Sequence, residues 1–168
     1  MIVRVSAKLG KKIHLAPEKS LPADDNPFAD WSTHLFSADR TQYILITNTA
    51  SLYSMVMFGR GITHDGQFLD RITSYMSEFI RDNGYGFIYE RLIMPSMASV
   101  MFSKALNRSV TGSMNDLVFM AKTRLVEREV SPYDVSFWLN EVPMSYLKMG
   151  RPKDAFQALN VSEIDSPS

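Results

Sequence analysis

The chain contains no cysteine. That absence removes disulfides, thiolate nucleophiles, iron–sulfur clusters and cysteine-containing zinc sites together. Long apolar runs are missing too. None approaches the roughly 18 residues of a membrane span, and the opening MIVRVSAKLGKK has too short an apolar segment for a signal peptide. The expected location is therefore the cytoplasm. Neither charge sign is in excess, because Lys plus Arg and Asp plus Glu both number 18. A dedicated nucleic-acid or membrane-surface binder rests on a basic excess, so both classes recede. Histidine is sparse. His14, His34 and His64 lie too far apart for a metal signature, and neither a metal nor a cofactor is expected. Nucleophile elbows, phosphate-binding glycine loops and dinucleotide fingerprints are absent as well.

What the chain does have is apolar substance. Of its 168 residues, 45% are hydrophobic, enough for a real core. The expectation is one α+β domain over residues 1–160 and a frayed tail over residues 161–168. Residues 2–6 (IVRVS) alternate apolar and polar, as in a strand, and residues 9–15 form a basic connector able to make a short helix. Residues 16–30 hold Pro17, Pro22 and Pro27 among acids and read as a loop pinned by Phe28 and Trp31. Residues 34–36, 43–47 (YILIT) and 52–58 (LYSMVMF) read as strands joined by short turns, hence antiparallel. YILIT is apolar on both faces, as expected of a central strand.

Helical spacing is clearest at Phe68, Leu69, Ile72, Met76, Phe79 and Ile80, with Thr63 or Asp65 as cap and Asn83-Gly84 as stop. A shorter helix over residues 87–93 and a strand over residues 97–103 follow. Then come helices over residues 113–128, from Pro132 onward, and over residues 152–159. Together these predict a mostly antiparallel sheet of about four to five strands with helices packed on one face.

The densest polar stretch is LNRSVTGSMNDLVFMAK, residues 106–122. Ser113 and Asp116 have capping-box spacing ahead of an apolar run, with Gly112 letting the chain bend into the helix. The same helix start offers free amides to an anion, with Arg108 as a clamp and Asn107 and Asn115 orienting it. Arg40, in the turn SADRT, is either a solvated hairpin residue or the second arginine of such a pocket. His34 enters a strand near Trp31 and Arg40 with the intrinsic pKa of a general base, although a hydrogen-bonded core histidine is the commoner outcome. Eleven methionines and several aromatics suit an adaptable core or a protein-binding surface. Phe137 and Trp138 are neighbours that cannot both face one core, so one of them is a candidate interface residue.

The stretch from Asn26 to Met57 together with residues 106–122 resembles an uncharacterised bacterial family of small domains of unknown function. The resemblance lies in Trp31 and Leu35, Arg40 in the turn, Asn48 after the apolar strand, and Arg108, Gly112, Met114 and Asn115 at the late helix. It extends over residues 2–125 and implies no assigned activity and no catalytic residue. The function is thus unknown. The reading that best fits the sequence is a non-enzymatic cytoplasmic interaction or regulatory module, with a protein partner or a second copy of the chain preferred over nucleic acid. The alternative is an anion-handling domain for a phosphorylated or nucleic-acid ligand. It would use Arg40, Arg108 and the helix start after Gly112, with His34, Asn107 and Asn115 as further binding candidates, while Trp138 is a candidate of the partner-binding reading.

Overall fold

Ile2, Val3 and Val5 place apolar side chains on both sides of a short strand, β1 (Ile2–Val5), which takes a central position in the sheet for that reason. The computed structural model describes residues 1–160, so the expected tail over residues 161–168 lies outside the described residues. After β1 come α1 (Ala7–Ile13), β2 (Asp30–Ala38), β3 (Thr41–Asn48), β4 (Ser54–Phe58) and α2 (Asp65–Ile80). The next turns include the three-residue α3 (Gly86–Ile88). The chain then makes β5 (Met101–Ser103), α4 (Arg108–Glu127), α5 (Pro132–Leu139) and α6 (Pro152–Gln157).

The fold is α+β with a mixed five-stranded sheet, in the order β4-β3-β2-β1-β5. The meander β2-β3-β4 is antiparallel, while β1 runs parallel to both its neighbours. Strand β1 inserts between β2 and β5, which are far away in sequence, a pairing that local turns cannot announce.

Side chains alternate across β3. Ile44 and Ile46 enter one core with Trp31, Phe68, Ile72, Met76 and Phe79. Tyr43 and Leu45 enter a second core with Val110, Met114, Leu117, Val135 and Leu139. The helices therefore cover both faces of the sheet, not one. Strand β3 is apolar on both sides, and each side needs its own cover. This also resolves Phe137 and Trp138. Phe137 packs toward the first core and Trp138 toward the second, and both are half-buried.

Helix boundaries moved where polar side chains chose a different cap. His64 caps α2, its Nδ1 accepting from the Gln67 amide at 3.3 Å, in place of Thr63 or Asp65. Gly84 adopts φ +88°, a conformation open to glycine, yet the chain resumes helical turns immediately after it. Helix α4 begins at Arg108, five residues before the expected start. Asn107 is its cap, accepting from the Val110 amide at 2.9 Å. Ser113 lies inside the helix and donates to the Ser109 carbonyl at 2.9 Å, so no capping box exists there. The expected strand over residues 97–103 is shorter, since Met94–Ala98 forms a 3-10 turn and only Met101–Ser103 pairs.

The free edge of β4 is closed by a helix. Asn140, the C-cap of α5, accepts from the Ser54 amide at 2.7 Å and donates to the Ser54 carbonyl at 2.8 Å. Ser136, one turn earlier, accepts from the Val56 amide at 2.8 Å. The Tyr75 hydroxyl donates to the Val56 carbonyl at 2.5 Å. Two helical residues four apart thus match two strand residues two apart, both steps being about 6–7 Å.

Candidate functional site

Strands β1 and β5 are parallel and end near one level, with Arg4 beside Ser103, while β2, parallel to β1, runs on past Thr33 to Ala38. Ligands of open sheets bind outside the carboxyl ends of parallel strands. Two hollows flank this end, and Ser6 and Ala105 line both.

The larger is a cleft of about 800 Å³ between α1, the chain that follows it and the residues after β5. Cavities that accept small molecules span about 300–1,000 Å³. Its walls are small or apolar, with Val5, Gly10, Leu15, Ala16 and Pro17 among them, and its ionisable lining residues are Lys11, His14 and Lys104. Among the described residues no carboxylate lines it.

Two local features build this cleft. Ser6 caps α1, accepting from the Leu9 amide at 3.3 Å. At the other end His14 takes the left-handed conformation, φ +56°, and turns the chain back over the helix. Leu15 then donates to the Gly10 carbonyl at 2.9 Å. A Cβ on Gly10 would stand 2.3 Å from the Leu15 oxygen, so only glycine permits this approach.

The smaller hollow, about 40 Å³, lies on the opposite face, between β2 and the first turns of α4. It has room for about one water molecule. His34, Ser32 and Thr33 line it from β2, and Thr111 and Asn115 from α4. Burial pushes the His34 pKa below its usual value, and the ammonium groups of Lys8 and Lys122 push it the same way. His34 is therefore held toward its neutral form.

His34 and Asn115 are the two expected site residues that meet. Arg40 and Arg108 line neither hollow. Asp39 and Arg40 are the two central residues of the β2–β3 hairpin, with φ +48° and +65°, as in a type I′ turn. Asn107 is used as a cap. Trp138 lies under the Arg124 guanidinium, 4.0 Å from the ring centre.

Two charged residues on adjacent strands, Arg4 of β1 and Asp30 of β2, are buried. Arg4 and Asp30 are 1% and 2% exposed and form a bidentate pair, with Nε to Oδ1 and Nη2 to Oδ2 both at 2.8 Å. Arg4 also donates to the carbonyls of Leu21 (2.8 Å) and Pro22 (3.2 Å), tying down the proline-rich loop. Asp30 accepts from the Asp24 amide at 3.0 Å and the Thr49 hydroxyl at 2.8 Å. Among the described residues no buried side-chain nitrogen or oxygen is left without a partner. The signal was present in IVRV, where the arginine stands between apolar residues of a central strand.

A family model described as Domain of unknown function (DUF6933) matches residues 2–155, and the chain belongs to that family. The match reaches past residue 125 and takes in α5. No curated protein and no solved structure matches the chain. Among the described residues no helix is long and apolar enough to cross a membrane, and no cluster of His, Asp and Glu has the makings of a metal site.

Proposed function

We propose that this chain is a non-enzymatic cytoplasmic module that binds a small organic anion with an apolar body in the cleft beside α1. The observation that carries the reading is the lining of the cleft, which among the described residues has apolar walls, Lys11, His14 and Lys104 as its ionisable groups, and no acid. An aliphatic or aromatic body would displace water from Val5, Leu15 and Pro17, which is favourable in proportion to the apolar area covered. The carboxylate or phosphate head would remain near the lysine ammonium groups at the rim, where solvent screening keeps each contribution modest. A regulatory role fits a ligand held this way, since the lining supplies no paired acid and base for chemistry.

Thermal-shift and calorimetric titrations against medium-chain carboxylates, aryl and alkyl phosphates, and the matching neutral alcohols test the proposal. An anionic compound is expected to raise Tm, its neutral counterpart to do so less, and Lys11→Glu with Lys104→Glu to weaken the anion at least tenfold. Equal binding of the alcohol and the anion, or binding indifferent to the two charge reversals, overturns it. So does a failure of every compound at millimolar concentration.

A further inference from the structure

The small hollow beside His34 has polar walls whose hydrogen bonds are only partly spent. Thr33 donates to the Arg4 carbonyl at 2.7 Å and Thr111 to the Asn107 carbonyl at 3.2 Å, while Ser32 pairs with the Thr49 hydroxyl at 2.7 Å. Ser6 accepts from the Leu9 amide and keeps its own proton to give. Among the described residues neither the His34 imidazole nor the Asn115 side-chain amide has a hydrogen-bond partner. Three residues with a donor to spare, on three separate segments, thus border one hollow: Ser6 ahead of α1, His34 on β2 and Asn115 on α4.

The charge that bears on the hollow has one sign. Among the described residues the ammonium groups of Lys8 and Lys122 act on the imidazole and no carboxylate does. Asp116, exposed beside Asn115, is not among the groups that reach it. Local structure places both lysines. Lys8 stands two residues after Ser6, in the first turn of α1. Lys122 stands two turns after Asn115 on the exposed side of α4. Side chains of a helix lean toward its N-terminus, so Lys122 reaches back toward Asn115.

We propose that this hollow is a phosphoryl-binding site, in which one phosphate oxygen enters between Ser6, His34 and Asn115 and the others stay outside with Lys8 and Lys122. The dimensions favour this division. About 40 Å³ admits one oxygen atom, as it would one water, and not a whole phosphate. A phosphate dianion has further oxygens for two ammonium groups besides the one inside. A carboxylate has a single oxygen left and half the charge, so it suits the pair of lysines less. The site does not use Lys11 or Lys104, the lysines of the cleft, and it stands whether or not the cleft takes a ligand.

NMR of the imidazole protons during titration with inorganic phosphate tests the site, with chloride and acetate at matched ionic strength as controls. The His34 resonance is expected to saturate at millimolar phosphate and its titration midpoint to rise, because a bound dianion favours imidazolium. Chloride and acetate are expected to do neither. Lys8→Gln with Lys122→Gln is expected to weaken phosphate at least tenfold, while Lys11→Gln with Lys104→Gln leaves it within twofold. All four lysines are exposed, so these variants are expected to keep the fold. The absence of a saturable shift at His34 overturns the proposal. So does an equal effect of acetate or chloride, or binding that survives the loss of Lys8 and Lys122. Loss of binding on replacing only Lys11 and Lys104 overturns it as well and moves the anion into the cleft.

Phenyl phosphate, titrated in the same way, separates the two sources of a phosphoryl group. Tighter binding than inorganic phosphate identifies a phosphorylated organic molecule, and weaker binding identifies the free ion. Both results support the site provided that they depend on Lys8 and Lys122.

Discussion

Arg4 and Asp30 meet as a buried, two-point ion pair across the parallel seam of β1 and β2, and the proline-rich loop is tied to both of them. Removing two charges from water is expensive, and such a pair holds only when the remaining donors and acceptors are satisfied. Here they are: the backbone of Leu21, Pro22 and Lys104 and the hydroxyls of Ser103 and Thr49 complete the shell. Arg4→Met strands the Asp30 carboxylate and is expected to destabilise the fold by about 3–5 kcal/mol in chemical denaturation at neutral pH. Arg4→Met combined with Asp30→Asn is expected to recover part of that loss, because no unpaired charge stays buried. Limited proteolysis of the single variant is expected to cut first within residues 19–25, the stretch that Arg4 holds. An Arg4→Met protein as stable as the wild type would mean that the loop and the strand stand without the pair.

Asn140 and Ser136 do for β4 what a sixth strand would do, and the consequence is measurable at single amides. Asn140→Leu leaves both the Ser54 N–H and its carbonyl buried without a partner, at about 1–3 kcal/mol for each group. Ser136→Ala frees only the Val56 amide and is expected to cost less. Hydrogen exchange is expected to accelerate at Ser54 in the first variant and at Val56 in the second, with β3 amides changing much less. Unchanged protection at both positions would show that water or a shifted backbone replaces the helix side chains. If the edge does open, the Asn140→Leu protein also presents a free strand to other chains, so aggregation at high concentration is the expected companion effect.

The elements set by local pattern were legible. Residues 43–47 announced a strand buried on both sides, Phe28 and Trp31 announced the anchor of the loop, and Ser131-Pro132 announced the start of α5. What escaped depends on partners distant in sequence. Nothing near β1 says that it lies between β2 and β5. The two-sided character of β3 already demanded helices on both faces, and assigning them to one face set that local fact aside.

At residues 106–122 the expected cap is Ser113 and the observed one is Asn107. Val110 decides between them, because it extends the buried stripe of Met114, Leu117, Val118 and Ala121 back by one turn. With that boundary corrected, Arg108 and Asn115 belong to the body of a helix whose outer face is open, and the anion site after Gly112 has no free amides to work with. The cleft beside α1 left almost no sequence signal. It depends on the close approach of Gly10 to Leu15 and on the left-handed turn at His14, neither of which periodicity reveals.

His34 gives a pH dependence whose sign follows from its surroundings. Burial, then Lys8 and Lys122, hold its folded pKa below the ordinary 6.5. As pH falls through about 6.5, the unfolded chain takes up this proton while the folded chain resists. The unfolded state then binds more protons, so the contribution of His34 to stability is full above that pH. It is lost on acidification toward and through the lowered folded value, and it levels off below.

His34→Gln, which cannot take the proton, is expected to remove this slope. The stability difference between wild type and variant should therefore shift against the wild type as pH falls below 6.5 and be flat above it. Lys122→Gln leaves the burial in place and removes one of the two cations, so it is expected to raise the imidazole pKa only part of the way back, read directly by NMR titration of His34. A His34 that titrates at or above its ordinary value would contradict the burial of its ring between β2 and α4. It would then point to an unseen negative partner in the small hollow that it shares with Asn115.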